Sequence, residues 1–499
     1  MREVERKFEV HGLFALPDLR GADAQGGTTG VAHCVLVGTM QLTSTYYDTQ
    51  DLRLARDRIT LRHRAGGVDD GWHLKLPLPR GAREEIHAAG LDGLADLVLA
   101  TTRGAPLAPV AVLATRRTAF RLLDEASTEV AELVDDEVSV LAGEHVVARW
   151  RELEVELRDG DEGVLDRVGE RLVAAGAQPA ASPSKLARSL GTRAAAAPDL
   201  PPPTPVTPDD PVRSLVVAAL RRYGRAFVEH DPAVRRDLPD AVHQMRVAAR
   251  RLRSTVRTFA PLLRPEPAAA LSGELRWIAG TLGPVRDTEV LLARLENHLA
   301  ELPPGLVLGP VADHLERRLT GDMQRARERL LEAMRSPRYV ALLDALVAAA
   351  ADPPTTDEAG APVAQAVPPL VQAAYGKLEK AVAALDDDSP EEQVHAVRIR
   401  AKRARYAAET AALAYGAPAK DLAAQLARVT DLLGDYQDAA VAADVLRRIA
   451  TEPGTTPGVA FTLGVLHARQ TADHDRLRAE FSTLWPQVHR RRHRRWLEQ

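Results

Sequence analysis

Glu3, Glu5 and Lys7 alternate with Val4, Arg6 and Phe8 at the start of the chain. Successive side chains of a β-strand point to opposite faces, so two carboxylates and an ammonium share one face here. The pattern recurs downstream. Glu152-Leu153-Glu154-Val155-Glu156-Leu157 alternates carboxylates with aliphatics. Arg58, Thr60, Arg62 and Arg64 alternate with Ile59, Leu61 and His63, while His73 and Lys75 alternate with Trp72, Leu74 and Leu76. Guanidinium and ammonium groups neutralise the oxygens of a polyanion. Grouped carboxylates suit a hard divalent cation bound through oxygen.

Both faces of these strands need a place. The aliphatic faces pack against helices, for which 91–100 and 162–175 have a suitable pattern. The charged faces cannot enter a dry core, because unpaired buried charge is very costly. They form either a solvated sheet surface or the wall of a polar cavity. For one strand the solvated surface is the simpler account. Over several strands the cavity gains, because acids and bases are sorted by strand. Arg62, Arg64 and Lys75 come from two strands; Glu3, Glu5, Glu154 and Glu156 come from two others. A closed antiparallel barrel carries such an interior.

This ordered set resembles the CYTH domain, or triphosphate tunnel metalloenzyme superfamily, whose signature is an N-terminal Glu-x-Glu-x-Lys. The matches are Glu3, Glu5 and Lys7, then Tyr46-Tyr47-Asp48, Arg62-x-Arg64, Lys75, Arg116-Arg117, Glu154-x-Glu156 and Ser184-Lys185, over roughly residues 1–190. The resemblance implies an eight-stranded antiparallel tunnel barrel that hydrolyses a triphosphate with Mg²⁺ or Mn²⁺. It implies phosphate ligation by Lys7, Arg62, Arg64, Lys75, Arg116, Arg117 and Lys185. It implies metal ligation by Glu3, Glu5, Glu154 and Glu156, with Lys7, Lys75, Glu154 and Glu156 at the reacting centre. An aspartate joins the metal set, and Asp135 and Asp136 are adjacent candidates, with strand parity from Glu132 favouring Asp136. Glu152 reads as peripheral. Arg83 and Glu85 are either a further tunnel pair or part of an exposed loop.

Residues 198–211 hold seven prolines in fourteen positions, a composition that excludes helix and central strand and marks a semi-extended spacer. Three regions follow: 1–193, a spacer at 194–211, and a helical region at 212–490 with halves at about 212–350 and 370–490. The halves contain a repeat. His243, Arg246, Arg250, Arg251 and Arg253 reappear as His395, Arg398, Lys402, Arg403 and Arg405, and Leu282-Gly283 with Asp287 reappears as Leu433-Gly434 with Asp438. Offsets of three, seven and ten from each histidine keep one helical face. No acidic residue lies between His243 and Arg257 or between His395 and Arg405, so these stripes lack partners of their own. The repeated stripes resemble the CHAD domain, the conserved histidine α-helical domain. That likeness implies two repeated helical bundles and binding of inorganic polyphosphate by His243, Arg246, Arg250, Arg253, His395, Arg398, Lys402 and Arg405. The basic run His489–Trp496 is either a helix end or an extension of that surface.

The whole is therefore expected to be an α+β chain: a tunnel barrel followed by an all-α domain. A net charge of −4 over 499 residues leaves no global attraction to nucleic acid, and 4% aromatic content leaves little for base stacking. Cys34 is the sole cysteine, so no intramolecular disulfide forms; with a first strand at residue 3 and no membrane-length apolar run, the expectation is a cytoplasmic protein, at polyphosphate granules if the polymer is bound. Two other functions compete with triphosphate hydrolysis: adenylate cyclase chemistry in the barrel, and a non-catalytic polyphosphate sensor.

Overall fold

The charge-alternating segments fold as neighbouring strands of one antiparallel sheet in the computed structural model. The structure describes residues 2–21, 29–67, 69–79, 82–386 and 388–498. Two units divide the chain, Met1–Asp199 and Leu200–Gln499.

The first unit holds β1 (Arg2–Glu3), β2 (Glu5–Val10), β3 (His33–Asp48), β4 (Thr60–Ala65), β5 (Gly71–Pro77), β6 (Arg83–Ala88), β7 (Ala108–Leu123), β8 (Glu129–Ala142), β9 (His145–Leu157) and β10 (Gln178–Pro179). Their order is β1-β6-β5-β4-β3-β7-β8-β9-β2-β10. There are ten strands, not eight, for two local reasons. Val4 interrupts the N-terminal strand, whose first piece pairs with β6 and whose second pairs with β9. The short β10 adds to the outer side of β2. Arg58 lies before β4 with φ 60°, so the basic stripe starts at Thr60.

Alternation decides what each face meets. Leu153 and Val155 of β9 and Leu133 of β8 are fully buried against Val164, Leu165, Val168 and Leu172 of the helix Glu162–Ala174. Leu61 and Leu74 pack on Leu94 and Leu97 of the helix Leu91–Leu97. Each such side chain contributes about 1.5–3 kcal/mol by leaving water. Their neighbours in sequence are thereby committed to the other face.

Residues 196–210 carry neither helix nor strand, but they are anchored. Asp199 pairs with Arg103 at 2.6 Å and with Arg56. Within the second unit, Leu200 and Val206 are buried.

Nine α-helices make up the described part of the second unit. The helices Val212–Arg235, Ala241–Thr258, Pro265–Ala300 and Val311–Arg335 are followed, after Pro337–Ala351, by Val363–Ala383, Glu391–Tyr415, Ala417–Ala450 and Pro457–Val488. The first five helices pack in succession, as do the last four, and Ala241–Thr258 also packs on Glu391–Tyr415, so the two basic stripes meet. Among the described residues no helix is long and apolar enough to cross a membrane.

The C-terminal basic run folds back onto acids. His493 Nδ1 lies 2.5 Å from Asp421, Arg494 pairs with Glu379 and sits 5.2 Å from the Tyr375 ring, and Trp496 is buried against Tyr415. Arg494→Ala is expected to cost about 1 kcal/mol in urea unfolding, the sum of a partly exposed ion pair and a cation–π contact.

Candidate functional site

β2, β9, β8 and β7 place the first group. Lys7 sits opposite Glu154, and Glu5 opposite Glu156, in the β2–β9 register. Lys7 Nζ pairs with Glu154 and lies 3.1 Å from Glu5. Arg117 holds Asp136 with two nitrogens, at 2.8 and 2.7 Å, and reaches Glu154 at 3.4 Å. Lys185 enters from the helix Lys185–Leu190, whose start is fixed by the Ser184 hydroxyl accepting from the Ala187 N–H at 3.1 Å. Its ammonium lies 2.8 Å from Glu152, 2.8 Å from Glu154 and 3.0 Å from Asp136. Burial opposes ionisation of Glu154, yet Lys185, Lys7 and Arg117 hold its carboxyl well below the usual range.

β4, β5, β6 and β1 place the second group. Lys75 Nζ donates to Glu3 at 2.6 and 2.8 Å and lies 3.6 Å from Glu85. Arg62 meets Glu85 at 3.2 Å. Burial pushes the Glu3 carboxyl up to about 7, helped by a hydrogen bond to Glu85 and opposed by Lys75. Arg83 lies opposite Glu3 on β6, so Arg83 and Glu85 belong to a strand and not to a loop. The two groups are within electrostatic reach of each other: Lys75 acts on Glu156, and Arg117 on Arg62. Tyr46, on β3, is buried; that burial raises its phenol, but Arg62, Lys185 and Arg64 outweigh it and hold the phenol below its ordinary value.

Arg64 stands apart. It is 8% exposed, and its ion pair among the described residues is a 4.0 Å approach to Asp69. Its Nε, like that of Arg62, is buried and has no hydrogen-bond partner among the described residues. Burial and the neighbouring Arg62 and Arg117 pull its pKa down to about 10. The chain has built a cationic position and left it short of an anion.

Two residues expected in the site lie elsewhere. Arg116 is exposed and pairs with Glu137. Asp135 pairs with Arg151 at 2.6 Å, and Arg151 also donates to the carbonyls of Gly12 and Phe14. Each is adjacent to a residue of the cluster, and period two turns it to the other face. Glu152, expected at the periphery, is 5% exposed; it touches Lys185 and accepts from the Trp150 indole at 2.5 Å. Its parity with Glu154 was the available signal. Glu132, opposite Glu156 in the β8–β9 register, extends the carboxylate row from Glu5.

In the second unit the paired stripes border a cavity of about 350 Å³ between the helices Ala241–Thr258, Val363–Ala383 and Glu391–Tyr415. Arg250, Arg253, Arg257, Lys377, Lys402 and Arg403 line it with Tyr406, and among the described residues no carboxylate does. The Nε atoms of Arg250 and Arg398 are buried and unpartnered. Burial, with Arg398, Arg250 and Arg246 nearby, pulls the Lys402 ammonium down to about 7. Arg246 is paired with Asp287 at 2.6 Å and lies over Gly283, as Arg398 lies over Gly434. The histidines differ between repeats: burial and Arg286 hold His243 below its ordinary pKa, whereas His395 Nδ1 lies 2.9 Å from the Gln437 carbonyl oxygen. Arg405 is neutralised by Glu409 at 2.9 Å and Asp431 at 3.2 Å, acids outside the stripe in sequence.

The CYTH domain family matches residues 1–190, and the CHAD domain family matches residues 218–447. The protein Rv2226 of Mycobacterium tuberculosis (strain ATCC 25618 / H37Rv) is 37% identical over 510 residues, covering 96% of this chain and 94% of that one. Among solved structures, PptA from Streptomyces chartreusis is 28% identical with a TM-score of 0.48, covering 56% of this chain and all of that one. The CHAD domain from the plant Ricinus communis is 27% identical with a TM-score of 0.48, covering 56% of this chain and 94% of that one. With both families matched in order, and a relative aligned along nearly its whole length, the chain belongs to the proteins that join an N-terminal CYTH domain to a C-terminal CHAD domain.

Proposed function

We propose that the first unit hydrolyses inorganic triphosphate, or short-chain polyphosphate, to pyrophosphate and phosphate, and that the second unit binds inorganic polyphosphate. The observation that carries this reading is Arg64, a buried cation with no carboxylate nearer than 4.0 Å among the described residues, set beside Arg62 and Arg117. In this reading the sheet curls into an eight-stranded tunnel. Support comes from the N-terminal segment, which pairs with β6 before Val4 and with β9 after it.

Lys7, Arg62, Arg64, Lys75, Arg117 and Lys185 would neutralise the non-bridging phosphate oxygens, whose charge otherwise repels a nucleophile. The carboxylates paired with them hold these long side chains in place. Glu5, Glu132 and Glu156 would be the ligands for Mg²⁺ or Mn²⁺ in this reading, with the ion displacing Arg158 from Glu132 and from Glu156 (2.7 Å) and Lys7 from Glu5 (3.1 Å). They form one cross-strand row of oxygen donors, and burial pushes the Glu156 carboxyl up, with Glu5 and Glu132 adding to the rise against Arg158 and Lys75. A divalent ion there supplies charge neutralisation and a bound water of lowered pKa. Asp136 and Glu154 are largely committed to Arg117 and Lys185, and Glu3 to Lys75.

The test is a panel of triphosphate, ATP, thiamine triphosphate and long polyphosphate with Mg²⁺ or Mn²⁺ and product identification. Triphosphate should give equal amounts of phosphate and pyrophosphate. Cyclic AMP from ATP would replace this reading with a cyclase, and tight polyphosphate binding without turnover would replace it with a sensor.

Polyphosphate binding by the helical unit should weaken steeply with salt, by the counterion release known for nucleic acids. It should also depend on pH. Lys402 is largely neutral above pH of about 7 and charged below it. A bound polyanion favours the charged form, so binding takes up a proton and affinity rises as pH falls. Lys402→Arg should flatten that dependence between mildly acid and mildly alkaline buffer, measured by fluorescence anisotropy of labelled polyphosphate. Fusion to the first unit raises the effective concentration of polymer ends there and brings the chain to polyphosphate granules.

A further inference from the structure

β5 and β6 bring together two histidines that the phosphate chemistry does not use and Glu85, which also holds Arg62 and Lys75. One nitrogen of His73, one of His87 and a carboxylate oxygen of Glu85 all lie within 4.8 Å of one another. His73 Nδ1 is 3.0 Å from Glu85 Oε1, and His87 Nε2 is 3.6 Å from Glu85 Oε2. The imidazole rings are 4.3 Å apart. Ligands held at about 2.0–2.2 Å by a tetrahedral ion stand about 3.3 Å from each other; the two separations, each to a different Glu85 oxygen, bracket that value, and a small turn of the carboxylate lets one oxygen serve both rings.

Hydrogen-bond accounting sharpens the point. His73 is 1% exposed, so water does not complete its bonding. Its Nε2 lies 2.9 Å from the Asp69 carbonyl, which can only accept, so Nε2 carries a hydrogen. A neutral imidazole then points the bare lone pair of Nδ1 at a carboxylate oxygen. Two acceptors at 3.0 Å need a cation between them: a second proton on the ring, or a metal. Ligating histidines characteristically donate their other N–H to a backbone carbonyl, as His73 does. Arg62 and Lys75 also approach Glu85, at 3.2 and 3.6 Å, and oppose a further cation. The carboxylate has lone pairs enough for all of them, and a bound phosphate would offset those two charges. His87 is about half exposed, so the third ligand faces solvent and leaves an open position.

We propose that His73, Glu85 and His87 bind a nitrogen-preferring transition-metal ion such as Zn²⁺, separate from the all-oxygen carboxylate row. The imidazoles select against Mg²⁺, which demands oxygen ligands and keeps its waters. The ion would clamp β5 to β6 and hold an exchangeable ligand next to Lys75 and Arg62.

The probe is Co²⁺, titrated into metal-free full-length protein in excess Mg²⁺ that occupies oxygen sites, and followed by its visible ligand-field absorption. One equivalent per chain with a low-coordinate spectrum is expected. His87→Ala, at a half-exposed position, should leave the metal-free melting temperature unchanged and weaken that binding at least about tenfold. A Zn²⁺-dependent rise in melting temperature should appear in wild type and vanish in His87→Ala. Identical Co²⁺ titrations of wild type and variant, or no Co²⁺ binding, overturn the site, and neither result bears on triphosphate turnover because no substrate is present.

Discussion

Arg64→Ala should lower kcat/KM for triphosphate by about 10²–10³-fold, the cost of removing one preorganised charge from a water-poor site. The same change should leave the melting temperature unchanged or raise it. The two effects separate because Arg64 is a poor stability element. It is buried, its Nε has no partner, and Arg62 and Arg117 repel it. Its removal relieves the folded state of a buried cation whose ion pair among the described residues is a 4.0 Å approach to Asp69, which under the proposed function is a trade of stability for activity. Arg64→Lys should recover only part of the rate, because an ammonium cannot offer the guanidinium fork. Steady-state kinetics with thermal unfolding of the same preparations decides the matter. Full activity in Arg64→Ala, or a melting temperature that falls in parallel with the rate, would mean that Arg64 serves the fold.

Lys185→Met should do the opposite to stability. Lys185 lies within 3.0 Å of Asp136, Glu152 and Glu154, and all four side chains are nearly buried. Without the ammonium, these carboxylates keep, among the described residues, the charges of Arg117 and Lys7 and, for Glu152, the Trp150 indole N–H. Breaking a buried charge pair by removing one partner costs about 3–5 kcal/mol. The pH dependence has a definite sign. Asp136 and Glu154 have folded pKa values below their ordinary ones, so the stability they confer is present above the ordinary carboxylate range and fades as pH falls through the depressed values. Lys185→Met raises those folded values. The gap between wild type and variant is therefore widest near neutral pH and narrows in acid, where the variant's carboxylates take up protons. Urea unfolding at neutral and mildly acid pH measures it, and a gap that widens in acid would contradict the assignment.

Strand alternation made much of the first unit legible. Leu153 and Val155 go to a helix, so Glu152, Glu154 and Glu156 must go the other way, and this follows from local stereochemistry alone. Parity from Glu132 already favours Asp136 over Asp135, whereas Arg116 and Arg117 separate only once the register is known. One position of slip exchanges the two faces, and the register depends on pairing with residues far along the chain. Val4 illustrates the limit: nothing in the N-terminal pentapeptide tells that its two ends pair with different strands.

In the second unit the repeat and its basic stripes were readable from spacing, because a helix brings residues three, four and seven apart to one face. Which bases stay unpaired was not readable. Arg405 loses its availability to Glu409 and Asp431, while Arg257 and Lys377 join the cavity from outside the motif. The sequence by itself determined which side chains share a face, since that depends only on backbone period. The tertiary structure decided which charges are compensated, since Coulomb energy depends on separation and burial, and both are set by elements distant in the chain.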